Sequence, residues 1–358
     1  LKMKTIGLCG IGNAIVDLLL EVEEDEFVSL GLKRSGMQLV DVATQAILLK
    51  RVQATREEVL FKSGGSVANS VIAYAQLGGK SAFVGSIADD LMGREYQRDM
   101  EDIGVVCSFT INKGESTGTS LILITPDAER TMNTCLGCAG DFGGGALNLE
   151  IIQNSRWLLL EGYLLANPGG RGDAAINSVL ECAVSNNTLL ALTCSDAWVV
   201  ANFFDKIKFI IPKLELLVAN ELEAVELSNL WVKNDPQYLS EFGEVTSVDV
   251  AVQILRRLVP ECVITLGSRG ALVARGSELV EVSAFKCEAV DLTGAGDAFL
   301  GTYINARDDG HSLKDAASMA CFVASKVVMQ LGPRLQDPGW LVNQWRGATS
   351  NVSDTLFR

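Results

Sequence analysis

Short apolar runs alternate along this chain with longer segments in which apolar residues recur every three or four positions. The runs Thr5 to Ile11, Ser81 to Ile87, Arg156 to Leu160, Thr188 to Leu192, Leu214 to Val218 and Cys262 to Leu266 have the length of buried strands. Between them, Ser66 to Leu77, Leu91 to Ile103, Asp173 to Ser185, Glu221 to Leu227 and Val248 to Leu258 carry the spacing of helices packed through one face. Strand and helix in alternation predict an α/β fold, a mostly parallel central sheet with helices on both faces. Ligands of such sheets sit beyond the carboxyl ends of the strands. Three extended stretches break the rhythm: Met37 to Val42, Thr119 to Thr125 and Glu129 to Thr134, the last two joined by Pro126-Asp127-Ala128. They predict a small accessory β-sheet able to cover a site. No repeat or Pro/Ser-rich linker divides the chain, and Gly143-Gly144-Gly145 reads as a joint or equally as a tight turn.

Composition narrows the chemistry. At 358 residues and 48% hydrophobic content, the chain has ample material for a large core. Thirty Lys and Arg against 44 Asp and Glu give a net charge of −14, which argues against general affinity for nucleic acid or anionic membranes. A phosphate-bearing ligand must therefore be held by local features. The one histidine, His311, excludes a multi-histidine zinc site and points to a carboxylate as the base of any enzyme here. Nine scattered cysteines, an odd number without a paired framework, suit a reducing, cytoplasmic compartment. The single CxxC, Cys135 to Cys138, lacks partners for a zinc site. No uninterrupted apolar stretch reaches 18 residues, so no transmembrane helix is predicted, and the N-terminus lacks the layout of a signal peptide.

The most informative segment is Asp291-Leu-Thr-Gly-Ala-Gly-Asp297, which leads into a helical pattern from Ala298 to Ala306. Gly294, Ala295 and Gly296 are small enough for backbone to approach a ligand, and free N–H groups at a helix start attract anions. Asp297 is out of place in a pure anion site. It makes sense either as a base that takes a proton from an attacking hydroxyl or as an ordinary first-turn acid. A second pair, Gly64-Gly65, opens the helix that carries Asn69, and suits contact with a hydroxylated ligand or a plain turn. Gly12-Asn13 and Asp17 follow the first strand, where a carboxylate can accept from two sugar hydroxyls. Asn220 and Glu223 lie three apart at a helix start, able to hold water around Mg²⁺ or simply to suit the helix dipole. Thr265, Gly267 and Gly270 form a glycine turn after another strand, compatible with a bare β-hairpin. Two phosphate motifs are excluded: Gly79-Lys80-Ser81 lacks the P-loop's earlier glycine, and Gly10-Ile-Gly12 has Ile15 where a dinucleotide fingerprint needs its third glycine.

In chain order, Gly12-Asn13 to Asp17, Gly64-Gly65 to Asn69, Asn220 to Glu223, Thr265-Leu-Gly267 and Asp291 to Asp297 together resemble the ribokinase-like (PfkB) family of carbohydrate and nucleoside kinases. The similarity spans nearly the whole chain. Within the family, Gly12-Asn13 to Asp17 and Arg130-Thr-Met to Leu136-Gly look most like adenosine kinases and their bacterial sugar-kinase relatives. The resemblance implies one ribokinase-like domain, 1–358, with a β-sheet lid formed by insertions at about 18–45 and 108–135 that also mediates dimerisation. It implies ATP and Mg²⁺, with transfer of the γ-phosphoryl to a primary hydroxyl of a sugar or nucleoside. Asp297 matches the catalytic base, and Gly294, Ala295 and Gly296 the anion hole. Asn13, Asp17, Gly64, Gly65 and Asn69 match substrate positions, and Glu161, at the end of a predicted strand, is placed to bind a sugar hydroxyl. Asn220, Thr265, Gly267 and Gly270 match the ATP site, and Glu223 the water-mediated Mg²⁺ position. Asp291 and Thr293 fall where many members bind K⁺, although Leu292 stands where that motif commonly has Thr. The rival reading is a non-catalytic sugar- or nucleotide-binding regulator on the same fold.

Overall fold

The alternation of strand and helix closes into a nine-stranded sheet in the computed structural model, which describes residues 4–34, 36–53, 60–127, 129–141, 147–166, 171–339 and 341. Its spatial order is β14 (Glu278–Val282), β13 (Ala271–Arg275), β12 (Glu261–Thr265), β11 (Leu216–Asn220), β10 (Leu189–Thr193), β9 (Ser155–Glu161), β1 (Ile6–Ile11), β5 (Ser81–Ala88) and β6 (Val106–Asn112). All pairings are parallel from β12 to β6, and β13 alone is reversed, pairing antiparallel with both β12 and β14. Alternate residues supply the two faces. Leu8, Phe83 and Leu159 face a core completed by the helices Ser66–Gln76, Ala295–Asp308 and Leu313–Val327. Cys9, Ile11, Leu158 and Leu160 face the other core, under the helices Arg171–Ser185, Glu221–Lys233 and Val248–Leu258. The fold is thus the α/β class expected, with helices on both faces.

A second, five-stranded sheet has the order β3 (Gly36–Leu39), β8 (Arg130–Cys135), β7 (Gly118–Ile124), β2 (Ile15–Glu21) and β4 (Leu60–Gly64). Strands β3, β7 and β8 answer the extended stretches read from the sequence, but β3 stops at Leu39. The Asp41 carboxylate accepts from the Thr44 N–H at 2.7 Å, and this cap starts a helix, Val42–Gln53, where strand was expected to continue. Strands β2 and β4 were not anticipated, because β2 is buried on both faces over nearly its whole length and shows no alternation. Residues 108–112, placed by the resemblance in an insertion, belong to β6 of the central sheet. The glycines at 143–145 lie outside the described residues.

Strand order reverses at β1: the chain continues to β5 and β6 on one side, and β9 to β14 fill the other. A crevice outside the carboxyl ends of β1 and β9 is therefore the topological site for a ligand.

Candidate active site

Glu161 ends β9 at this switch point and accepts a hydrogen bond from the Asn13 backbone N–H at 2.9 Å. A side chain at Gly12 would place its Cβ 2.2 Å from Glu161 Oε2, so glycine there is a packing requirement. Asp17 lies inside β2, buried, rather than in a loop after β1. Gly64 on β4 faces it: a Cβ at 64 would lie 2.3 Å from Asp17 Oδ2. Gly65 adopts φ +100°, and its missing Cβ would meet the Asn13 carbonyl oxygen at 2.4 Å. The Gly12-Asn13 and Gly64-Gly65 segments are thus folded onto each other around two carboxylates. Burial pushes Asp17 up to about 7, against the pull of Arg334 and Arg130, and pushes Glu161 up to about 8, against its bonds from Asn13.

Asp297 stands in the first turn of the Ala295–Asp308 helix, after Gly294 in the left-handed region at φ +74°. Asp297 Oδ1 accepts from the Ser66 hydroxyl at 2.7 Å and Oδ2 from Asn69 Nδ2 at 3.1 Å. Burial raises its pKa to about 6, and these two hydrogen bonds limit the rise. Among the described residues, no atom outside the backbone of its own turn lies within 4 Å of the position a Cβ would take at Gly296, so the helix start opens onto free space there. Sequence reasoning missed Ser66. Its only signal was its place directly after Gly64-Gly65, at the start of the helix that carries Asn69.

The strand register brings the remaining predicted residues to the same edge. Asn220 and Thr265 are paired partners on β11 and β12. Asn220 and Glu223 form a reciprocal capping box: Asn220 Oδ1 accepts from the Glu223 N–H at 2.9 Å, and Glu223 accepts from the Asn220 N–H at 2.9 Å and from Nδ2 at 2.7 Å. Glu223 is buried, and its pKa is raised to about 7 by desolvation. Gly270, at φ +107°, has no room for a side chain against the Val282 carbonyl, whereas Gly267 faces open space. The turn between them joins β12 to antiparallel β13, so it is a hairpin whose tip lies beside Asn220.

Asp291 is buried and heavily engaged. It pairs with Arg130 on β8 and accepts from the Thr293 N–H at 2.8 Å and the Gly332 N–H at 2.6 Å. The Arg130 bond ties the second sheet to the loop before Asp297. Cys135 and Cys138 are buried free thiols, and no group of three His, Cys, Asp or Glu among the described residues is arranged to hold a metal ion. No helix among those residues is long and apolar enough to cross a membrane. His311 follows the Ala295–Asp308 helix, where its N–H donates to the Ala306 carbonyl at 3.0 Å and its own carbonyl accepts from Arg307 Nη1 at 2.6 Å.

Residues 26–338 match the family described as pfkB family carbohydrate kinase. An adenosine kinase of Schizophyllum commune is 24% identical over 351 residues, 94% of this chain and 98% of that protein. A ribokinase of Staphylococcus aureus is 24% identical over 279 residues, 77% of this chain and 84% of that protein. The crystal structure of adenosine kinase from Sinorhizobium meliloti superposes with a TM-score of 0.82 at 28% identity, covering 96% of this chain and 99% of that one. The chain belongs to the pfkB family of carbohydrate kinases. It is an ATP-dependent kinase of a sugar or nucleoside.

Proposed function

We propose that the acceptor is a nucleoside of the adenosine type and that Asp297 is the general base. The observation that carries the base assignment is the position of Asp297: half-buried, held by Ser66 and Asn69, and next to the open space at Gly296. An acceptor ribose would lie against Asn13, Asp17, Asn69 and Glu161, over the backbone of Gly64 and Gly65. A cavity of about 660 Å³ at the second sheet, lined by Leu39, Val40, Val42 and Leu136 and also by the polar Asp41, Glu115 and Ser116, would have room for a nucleobase. Phe27 is buried in the core and Phe61 is exposed, while Phe142 lies outside the described residues. The sheet β3-β8-β7-β2-β4 would act as a lid on a single domain. Its exposed Met37, Leu39 and Phe61 support the same surface as the meeting face of a homodimer.

In the reaction, the primary hydroxyl of the acceptor attacks the γ-phosphorus of ATP and Asp297 takes the hydroxyl proton. The new O–P bond forms as the bond to the β–γ bridging oxygen breaks and ADP leaves. With its pKa near 6, Asp297 is ionised at neutral pH yet basic enough to receive that proton. The N–H groups after Gly294 take up charge on the transferred group. ATP itself would lie across Asn220, Thr265, Gly267 and Gly270. Mg²⁺, where bound, supplies neutralisation of phosphate charge. Glu223, whose oxygens each accept one bond from Asn220, would hold it through water. At Asp291, Oδ2 accepts from Arg130 and Gly332 and Oδ1 from Thr293, so K⁺ at Asp291 and Thr293 would share this carboxylate with a guanidinium. Nine unpaired cysteines support a cytoplasmic setting.

The test is an ADP-release assay with the purified protein, ATP and Mg²⁺ against adenosine, other nucleosides, ribose and fructose. Turnover highest with adenosine is expected. Turnover with ribose or fructose alone overturns the nucleoside assignment, and tight binding of one acceptor without any turnover would make the protein a binding regulator.

A further inference from the structure

Three consecutive residues, Gly332, Pro333 and Arg334, join the phosphate side of the site to the acceptor side, and no motif above includes them. Gly332 donates its N–H to Asp291 Oδ2 at 2.6 Å. Pro333 lies against Gly294, where a Cβ would come within 2.4 Å of the proline ring. Arg334 then crosses to the acceptor turn, with Nη2 donating to Ser63 Oγ at 2.5 Å and Nη1 to Asp99 Oδ2 at 2.8 Å. Ser63 also donates its backbone N–H to Asp99 Oδ2, at 3.0 Å, and directly precedes the Gly64-Gly65 pair. The Tyr96 hydroxyl fixes the next residue by donating to the Gly64 carbonyl at 2.9 Å. The Arg334 side chain is only 10% exposed, and its Nε is buried with no partner among the described residues.

We propose that Arg334 is a positioning residue for phosphoryl transfer, holding the Ser63–Gly65 turn and Asp17 in place against the Gly294–Gly296 loop, with Gly332 and Pro333 as the second anchor. The physical need is clear. The two reacting halves come from distant parts of the chain, and in-line transfer is sensitive to displacements on the order of 1 Å. A guanidinium suits the task because its planar fork bonds two groups at a fixed angle, which a lysine cannot do. Arg334 also acts on Asp17 through charge. The groups facing Asp17 are Arg334 and Arg130 on the positive side and Asp297 and Asp291 on the negative side, with exposed Lys62 opposite it on β4. Asp99 neutralises part of the Arg334 charge.

This inference rests on reading Asp17 as an acceptor ligand, and its test separates the two. Arg334→Met and Asp99→Asn break the same ion pair but change the field at Asp17 in opposite senses. Carboxyl-carbon NMR titrations of the full chain, with the Asp17 signal assigned by its loss in Asp17→Asn, should show the Asp17 pKa rising in Arg334→Met and falling in Asp99→Asn. Arg334→Lys should restore most of the titration but not the geometry. Movement in the same direction in the first two variants, or none, overturns the proposal. In kinetics, Arg334→Met and Arg334→Lys should raise the acceptor KM by about tenfold or more, with the ATP KM changed less than about twofold. Equal rises in both KM values also overturn it. Should Arg334→Met fail to fold, Asp99→Asn and Arg334→Lys carry both readouts. Absence of turnover with every acceptor would defeat the proposed function, while the titration would still decide the placement of Arg334.

Discussion

Ser66 and Asp297 are 231 positions apart in the chain, yet the Ser66 hydroxyl donates to Asp297 Oδ1 at 2.7 Å. The bond forms because the Ser66–Gln76 and Ala295–Asp308 helices lie in backbone contact. At Gly301, a Cβ would come within 2.1 Å of the Ser70 carbonyl oxygen, so glycine alone permits the approach. Both helices then begin at the same edge of the sheet, one presenting Ser66 and Asn69 and the other the carboxylate they hold.

Removing that carboxylate's basicity should stop the reaction while sparing ATP. Asp297→Asn is expected to lower turnover by about two orders of magnitude or more, with the dissociation constant of ATP changed little. Rapid-quench turnover and equilibrium binding measure the two quantities, and near-normal turnover would remove Asp297 from the role of base.

Ser66→Ala should change the pH profile more than the plateau rate. The Ser66 bond stabilises the charged form of Asp297 and holds its pKa down, so its loss raises the pKa above about 6. The base must be unprotonated, and therefore the acid limb of kcat shifts to higher pH. A profile recorded from pH 5 to 9 should show a greater loss near pH 6 than near pH 8.

Glycines 294 and 296 should respond oppositely to alanine. Gly294→Ala meets both an unfavourable φ and Pro333, and its melting temperature should fall by several degrees. Gly296→Ala has room, so its melting temperature should hold or rise slightly, while turnover falls by about tenfold or more as the methyl enters the space that the proposed reaction gives to the phosphoryl group. Thermal denaturation and turnover of the two variants, measured side by side, test the contrast.

Gly301→Ala probes the helix contact itself. The added methyl must push the helices apart, at a cost on the order of 1–3 kcal/mol. Melting temperature and turnover should fall together, because Ser66 and Asn69 move with the displaced helix. Full turnover in a destabilised Gly301→Ala protein would show that the contact is not needed to hold Asp297.

The ligand-free protein should be more stable in mild acid than in mild base. Burial raises the pKa values of Asp297, Asp17, Glu223 and Glu161 to about 6, 7, 7 and 8 respectively. Raised carboxyl groups bind more protons folded than unfolded. Their contribution is therefore fully present below the unfolded-state value near 4 and is lost as pH rises through about 6 to 8. Melting temperatures measured between pH 5 and 8.5 should fall with rising pH, and Glu161→Gln should flatten the upper part of that slope.

The sequence by itself determined the elements whose signal is local. Six of the central strands are apolar runs that need no alternation because both faces are covered, and the Gly294–Asp297 and Asn220–Glu223 motifs place small residues and acids at helix starts by spacing alone. Tertiary structure decided everything that depends on distant pairing. It placed Asp17 in β2 with its carboxylate against Gly64, made Gly12 a packing partner of Glu161, and brought Ser66 and Arg334 to the two halves of the candidate site. It also paired Asp291, which the family resemblance sets at a K⁺ position, with Arg130. These relationships arise from strand order and from backbones close enough to exclude a Cβ, and neither quantity is carried by any short stretch of residues.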